Sequence, residues 1–131
     1  MIKLPYLYWK GNYCPIIELE VINGDKQIHT IAYVDTGATY SVFHSDFCEE
    51  LGLSLRAGKR IDITVGDGGI IPVFLHELNI KIENLEIKGI IGFSDRLGTG
   101  VNILGREKVL DEYMICFDGK KREVIWHLQP D

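Results

Sequence analysis

The chain has 131 residues, of which 46% are apolar and 25% charged, and a formal net charge of −5; this suits one domain over residues 1–131 with a sizeable core and leaves no room for two lobes. The acidic balance argues against nucleic acid or anionic membrane as partners, and the longest apolar run, at residues 70–75, is far below the roughly 20 residues a bilayer requires. Cys14, Cys48 and Cys116 form an odd set without CxxC spacing, so no disulfide framework, zinc site or other cofactor is expected, and without a signal-type h-region the chain reads as soluble and cytoplasmic.

Residues 1–15 are rich in aromatics (Tyr6, Tyr8, Trp9, Tyr13) but show no period, and are taken as an N-terminal arm covering the core or a dimer seam. Next, Ile17, Leu19 and Val21 alternate with Glu18 and Glu20, and a second β-rich run covers 28–34. The intervening Asn23-Gly24 predicts a hairpin. Ser45 is placed to cap a short helix over 46–51, which Gly52 would stop.

Ile61, Ile63 and Val65 alternate with Asp62 and Thr64, and the chain resumes at 70–75 after Gly66-Asp67-Gly68-Gly69. This predicts a hairpin with a glycine-rich tip, Pro72 marking an edge. Further strands are expected at 78–82 and 85–91 around a Glu83-Asn84 turn, followed by a loop at 94–100. Residues 107–112 fit one more short helix, and two strands at 113–117 and 123–127 flank an Asp118-Gly119 turn. Many short strands with little helix indicate an all-β barrel or sandwich.

Two motifs carry the chemistry. Tyr33-Val34-Asp35-Thr36-Gly37-Ala38 sets a carboxylate at the end of an apolar strand, where an ordinary Asx-type turn would be the commonplace explanation. Some 70 residues later the chain reads Val101-Asn102-Ile103-Leu104-Gly105-Arg106. His29, His44, His76 and His127 are scattered and give no metal motif, and no GxSxG elbow, phosphate loop or dinucleotide fingerprint occurs.

With the glycine-tipped hairpin between them, these motifs resemble the retropepsin-like aspartic proteases, the single-lobed relatives of pepsin that include the retroviral enzymes. The resemblance spans residues 17–117. It implies a small closed or partly open acid-protease barrel with one or two short helices, working as a two-fold homodimer. It implies a catalytic Asp35, supported by Thr36, Gly37 and Ala38, with Ile103, Leu104 and Gly105 beneath the loop. Gly66, Asp67, Gly68, Gly69 and Ile70 would form a flap over a peptide or unfolded-protein substrate.

The same resemblance implies that the chain ends, including Val124-Ile125-Trp126, interleave between subunits. In one respect the chain departs from the pattern: retroviral members often carry a second Asp after the Ala, paired with the Arg after the Gly, where this chain has Thr39. Arg106 therefore needs another partner or none. The implied activity is an aspartic endopeptidase. Two alternatives stay open, a noncatalytic dimeric binding or scaffold module and a narrowly targeted, self-processing protease.

Overall fold

A computed structural model describes residues 1–98 and 100–128. The aperiodic start forms three short strands, β1 (Ile2–Pro5), β2 (Leu7–Trp9) and β3 (Asn12–Cys14). Strands β2 and β3 pair around Lys10 and Gly11, whose positive φ values of 46° and 90° supply the turn that matches strand twist. The alternation at 17–21 becomes β4 (Ile16–Asn23), joined to β5 (Lys26–Val34) by Gly24 and Asp25. The turn sits one residue later than expected. Asn23 stays in the strand and donates Nδ2 to the Leu51 carbonyl at 2.8 Å, while Gly24 takes the positive φ of 62°.

Strand β6 (Ser41–His44) was not expected, because Ser41, Val42 and Phe43 are all buried and show no alternation. The short helix forms as α1 (Asp46–Glu50), but Ser45 does not cap it: its backbone is already helical and its side chain makes no cap bond. Instead, its N–H is held by the Ser94 carbonyl at 3.0 Å. Gly52, at φ 69°, does end the helix.

A 3-10 turn at Leu55–Ala57 leads into β7 (Lys59–Thr64) and then β8 (Ile70–Ile82), one unbroken strand where two were expected. The remaining strands are β9 (Leu85–Ser94), β10 (Asn102–Leu104), β11 (Met114–Asp118) and β12 (Glu123–His127). The helix expected at 107–112 shrinks to a 3-10 turn at Leu110–Glu112. Lys108 sits at φ 59°, which no α-helix accommodates, and the N–H groups of Arg106 and Glu107 are taken by the carbonyls of Ala38 and Thr39.

The large sheet runs β4-β5-β10-β6-β9-β8-β7, and a further pairing of β4 with β8 at Glu20–Lys81, Val21–Ile80 and Ile22–Asn79 closes it into a barrel. Closure removes the free edges of those six strands. The inward side chains include Leu19, Val21, Phe43, Ile80, Ile91, Phe93 and Leu104, none more than 2% exposed. Each contributes on the order of 1.5–3 kcal/mol of burial. Strand β7 lies outside the ring, so β7 and the first part of β8 project as a two-stranded hairpin; Pro72, opposite Asp62, falls in that part.

The chain ends pair with each other in a second sheet, ordered β1-β12-β11. Both sides of β12 are thus occupied within one chain, so it has no free edge to offer a second copy. Ile2, Leu4, Val124 and Trp126 from this sheet fill the bottom of the core. Among the described residues no helix is long and apolar enough to cross a membrane.

Candidate active site

Strand β5 ends in the run Ile31-Ala32-Tyr33-Val34 and delivers Asp35 to the rim of the barrel. Two bonds hold the exit: the Asp35 N–H donates to the Leu104 carbonyl at 3.0 Å, and the Ala38 N–H to the Asp35 carbonyl at 3.2 Å. The Gly37 N–H donates to Asp35 Oδ1 at 2.9 Å, fixing the carboxylate orientation. A methyl at Gly37 would sit 3.2 Å from that same oxygen, so the glycine leaves the carboxylate room.

Strand β10 explains the distant Ile103-Leu104-Gly105 motif. It lies between β5 and β6, parallel to the first and antiparallel to the second, directly beneath the Asp loop. Gly105 donates its N–H to the buried Ser41 hydroxyl at 2.9 Å. A Cβ there would come within 2.4 Å of the Tyr40 backbone and 2.9 Å of the Ala38 carbonyl, so no larger residue fits. The next two N–H groups, of Arg106 and Glu107, reach the Ala38 and Thr39 carbonyls at 2.9 and 2.8 Å. Arg106 does find a side-chain partner, the Thr39 hydroxyl at 3.2 Å.

Opposite the Asp loop hangs the β7–β8 hairpin. Its tip closes through Val65 N–H to Gly69 O at 2.8 Å and Gly68 N–H to Val65 O at 2.9 Å, with Gly68 at φ 86°. Asp67 Oδ1 accepts the Gly69 N–H at 2.7 Å. Ile61, Ile63 and Val65 on the hairpin's inner face pack with Val42, Ile71, Val73 and Leu97 in a second apolar cluster.

Between loop and hairpin lies a cleft of about 880 Å³. Of the residues singled out by sequence, Asp35, Gly37, Ala38, Gly66, Asp67, Gly69, Ile70 and Ile103 line it together. Thr36 is exposed, Leu104 points into the core and Gly68 lies outside the lining. Tyr40 and Val42 were not singled out by sequence, nor were Arg96, Leu97 and Gly98 individually within the 94–100 loop; Ile63 and Val65 could have been found from their alternation. Tyr33, two residues before Asp35, has its phenol pushed above the usual value, chiefly by burial and then by Cys14, Asp35 and Tyr6 nearby. Among the described residues no three His, Cys, Asp or Glu side chains converge as a metal site.

At the level of sequence, no family model and no curated protein matches the chain. Solved structures do. A retropepsin-like aspartic protease from Rickettsia conorii superposes with a TM-score of 0.68 at 20% identity, covering 96% of this chain and 89% of its own. The EIAV protease, complexed with the inhibitor HBY-793, gives a TM-score of 0.55 at 23% identity, covering 80% of this chain and 93% of its own. The all-β barrel, its Asp loop seated on β10 and the hairpin above them thus make up a retropepsin-like aspartic protease fold.

Proposed function

We propose that the protein is an aspartic endopeptidase that hydrolyses peptide bonds in extended segments of peptides or unfolded proteins. The observation that carries this reading is Asp35, oriented by the Gly37 N–H at 2.9 Å and opening into a cleft covered by a hairpin. Carboxylate-driven hydrolysis needs a base to take a proton from water and an acid to protonate the carbonyl oxygen. One chain carries only one such loop, so the working unit is a two-fold homodimer with the two Asp35 side chains meeting on the axis.

Carboxylates about 3 Å apart do not both ionise, so the pair shares one proton. The ionised Asp35 removes a proton from the water as its oxygen attacks the carbonyl carbon, and the protonated partner gives its proton to the carbonyl oxygen. The tetrahedral diol then collapses: the C–N bond breaks, the amine leaves with the proton of the carboxyl that had taken it up, and the other carboxylate recovers a proton from a diol hydroxyl as the carbonyl re-forms. Thr36 holds the two loops together across the axis, and the 66–70 tip closes on the substrate backbone in the manner of an added strand.

The test is cleavage of an unfolded protein and a diverse peptide mixture from pH 3 to 7. Asp35→Asn is expected to abolish cleavage while circular dichroism and dimer mass stay unchanged. Equal cleavage by wild type and Asp35→Asn would sink the proposal.

A further inference from the structure

Among the described residues the cleft carries one cation, which the hydrolysis does not use. Of the five arginines, four engage their guanidinium groups within the chain. Arg60 pairs with Asp62 at 3.4 Å, Arg106 donates to the Thr39 hydroxyl at 3.2 Å, and Arg56 and Arg122 lie over the rings of Phe74 and Tyr13 at 5.7 and 4.1 Å. Among the described residues the Arg96 guanidinium meets no acceptor, carboxylate or ring. Its backbone is nevertheless anchored, since the Arg96 main-chain N–H donates at 3.1 Å to the hydroxyl of Ser94, a residue 1% exposed.

The position is as telling as the missing partner. The main cleft and a smaller one of about 290 Å³ on the outer side of the hairpin have Ile70 and Arg96 in common. Arg96 therefore stands between the two clefts. Among the described residues it is the only cation lining the main cleft, whose other charged side chains are Asp35 and Asp67, and Asp67 already accepts the Gly69 N–H. In the outer cleft, Arg60 and Asp62 neutralise each other, leaving Arg56 and Asp95 beside Arg96.

We propose that Arg96 is a specificity-determining residue that selects a Glu or Asp side chain of the substrate at the point where the peptide leaves the cleft past Ile70. This rests on the endopeptidase reading above. A guanidinium takes a carboxylate through two parallel N–H bonds, and among the described residues no competing anion occupies it. Arg96 is exposed, so the gain is modest and weakens with salt: about three- to tenfold in kcat/KM for Glu over Gln at low ionic strength.

The test uses N-acetylated, C-amidated peptides built on a sequence the dimer cleaves, with a single Glu, Gln or Lys moved through the four positions on each side of the cut bond. At one position flanking the apolar centre, wild type is expected to prefer Glu over Gln, and Gln over Lys. That ranking, taken for each variant relative to its own rate on an uncharged peptide, flattens to within twofold in Arg96→Ala, inverts in Arg96→Glu and returns in Arg96→Lys. Cleavage that ignores charge at every position, or a Glu preference that survives in Arg96→Ala, overturns the inference and leaves the protease standing. Failure of wild type to cut or bind any peptide overturns both.

Discussion

Single residues set the tolerances of the Asp loop. Gly37 and Gly105 are both glycines of this site, yet they answer to different neighbours. At Gly37 an added methyl meets only the Asp35 carboxylate oxygen at 3.2 Å; Gly37→Ala is expected to lower kcat with little change in the unfolding midpoint. At Gly105 it meets the Tyr40 backbone at 2.4 Å, which cannot rotate away. Gly105→Ala is expected to cost about 3 kcal/mol in a urea titration, from forced movement of the loop. Cys48 offers a pH signature: burial pushes its thiol from the ordinary 9.0 up to about 11. An unfolded chain releases that proton near pH 9 and the folded one near 11. The contribution to stability is therefore complete below pH 9 and lost as pH rises toward 11. Urea midpoints of wild type are expected to fall more steeply between pH 8.5 and 10.5 than those of Cys48→Ala; parallel curves would refute the assignment. Tyr33 and Tyr113, raised by burial first, drift in the same direction in both chains and cancel in this comparison.

At the scale of elements, what could be read depended on whether one face of the strand was wet. Ile17, Leu19 and Val21 alternate with exposed or half-buried glutamates, and β4 is where they predict it. The Ile61–Val65 alternation is legible for the same reason. Strand β6 has no wet face, so it left no period, and β2 and β3, at three residues each, are too short to show one. His76 and Glu77 broke the apolar run of β8 on paper, yet the strand continues because the run leaves the hairpin and joins the barrel wall there. The helix at 107–112 failed on a single left-handed residue, Lys108. The Asp loop and its support at Ile103, Leu104 and Gly105 were legible through family resemblance, whereas Arg96 was not, since nothing local in a loop reveals which cleft it will face. Strand β1 is a case where position in the fold outweighs length. Leu4 is 7% exposed and packs in the main core, so Leu4→Ala is expected to lower stability by about 2–4 kcal/mol in thermal or urea unfolding.

For the whole molecule, the sheet formed by the chain ends differs from the interleaved arrangement that the resemblance implied. Strand β12 sits between β1 and β11 of its own chain, so the fold of one copy does not borrow a strand from another. If the active unit is the proposed dimer, folding and assembly then become separable. Specific activity per chain is expected to fall upon dilution into the nanomolar range, while circular dichroism of the same samples is unchanged. Thr36, exposed and without a hydrogen bond among the described residues, is available for contact across the axis. Thr36→Ala is expected to move the activity midpoint to higher protein concentration, read by sedimentation velocity alongside turnover, without shifting the melting temperature of the dilute chain.

The unbroken run of β8 has a mechanical consequence. Residues 70–73 have one neighbouring strand, β7, while from Phe74 onward β8 is also bonded to β9. The hairpin is thus a cantilever whose beam continues into the barrel wall, clamped where Gly58 has room for no Cβ against the Leu75 carbonyl and the His76 ring. Bending is concentrated at the step from two strands to three, and the load of a closed hairpin is carried by the same backbone that pairs with β4 at Asn79, Ile80 and Lys81. Amide exchange should record that step as a discontinuity along one strand, fast before Phe74 and slow after it, and a ligand under the hairpin should slow both segments.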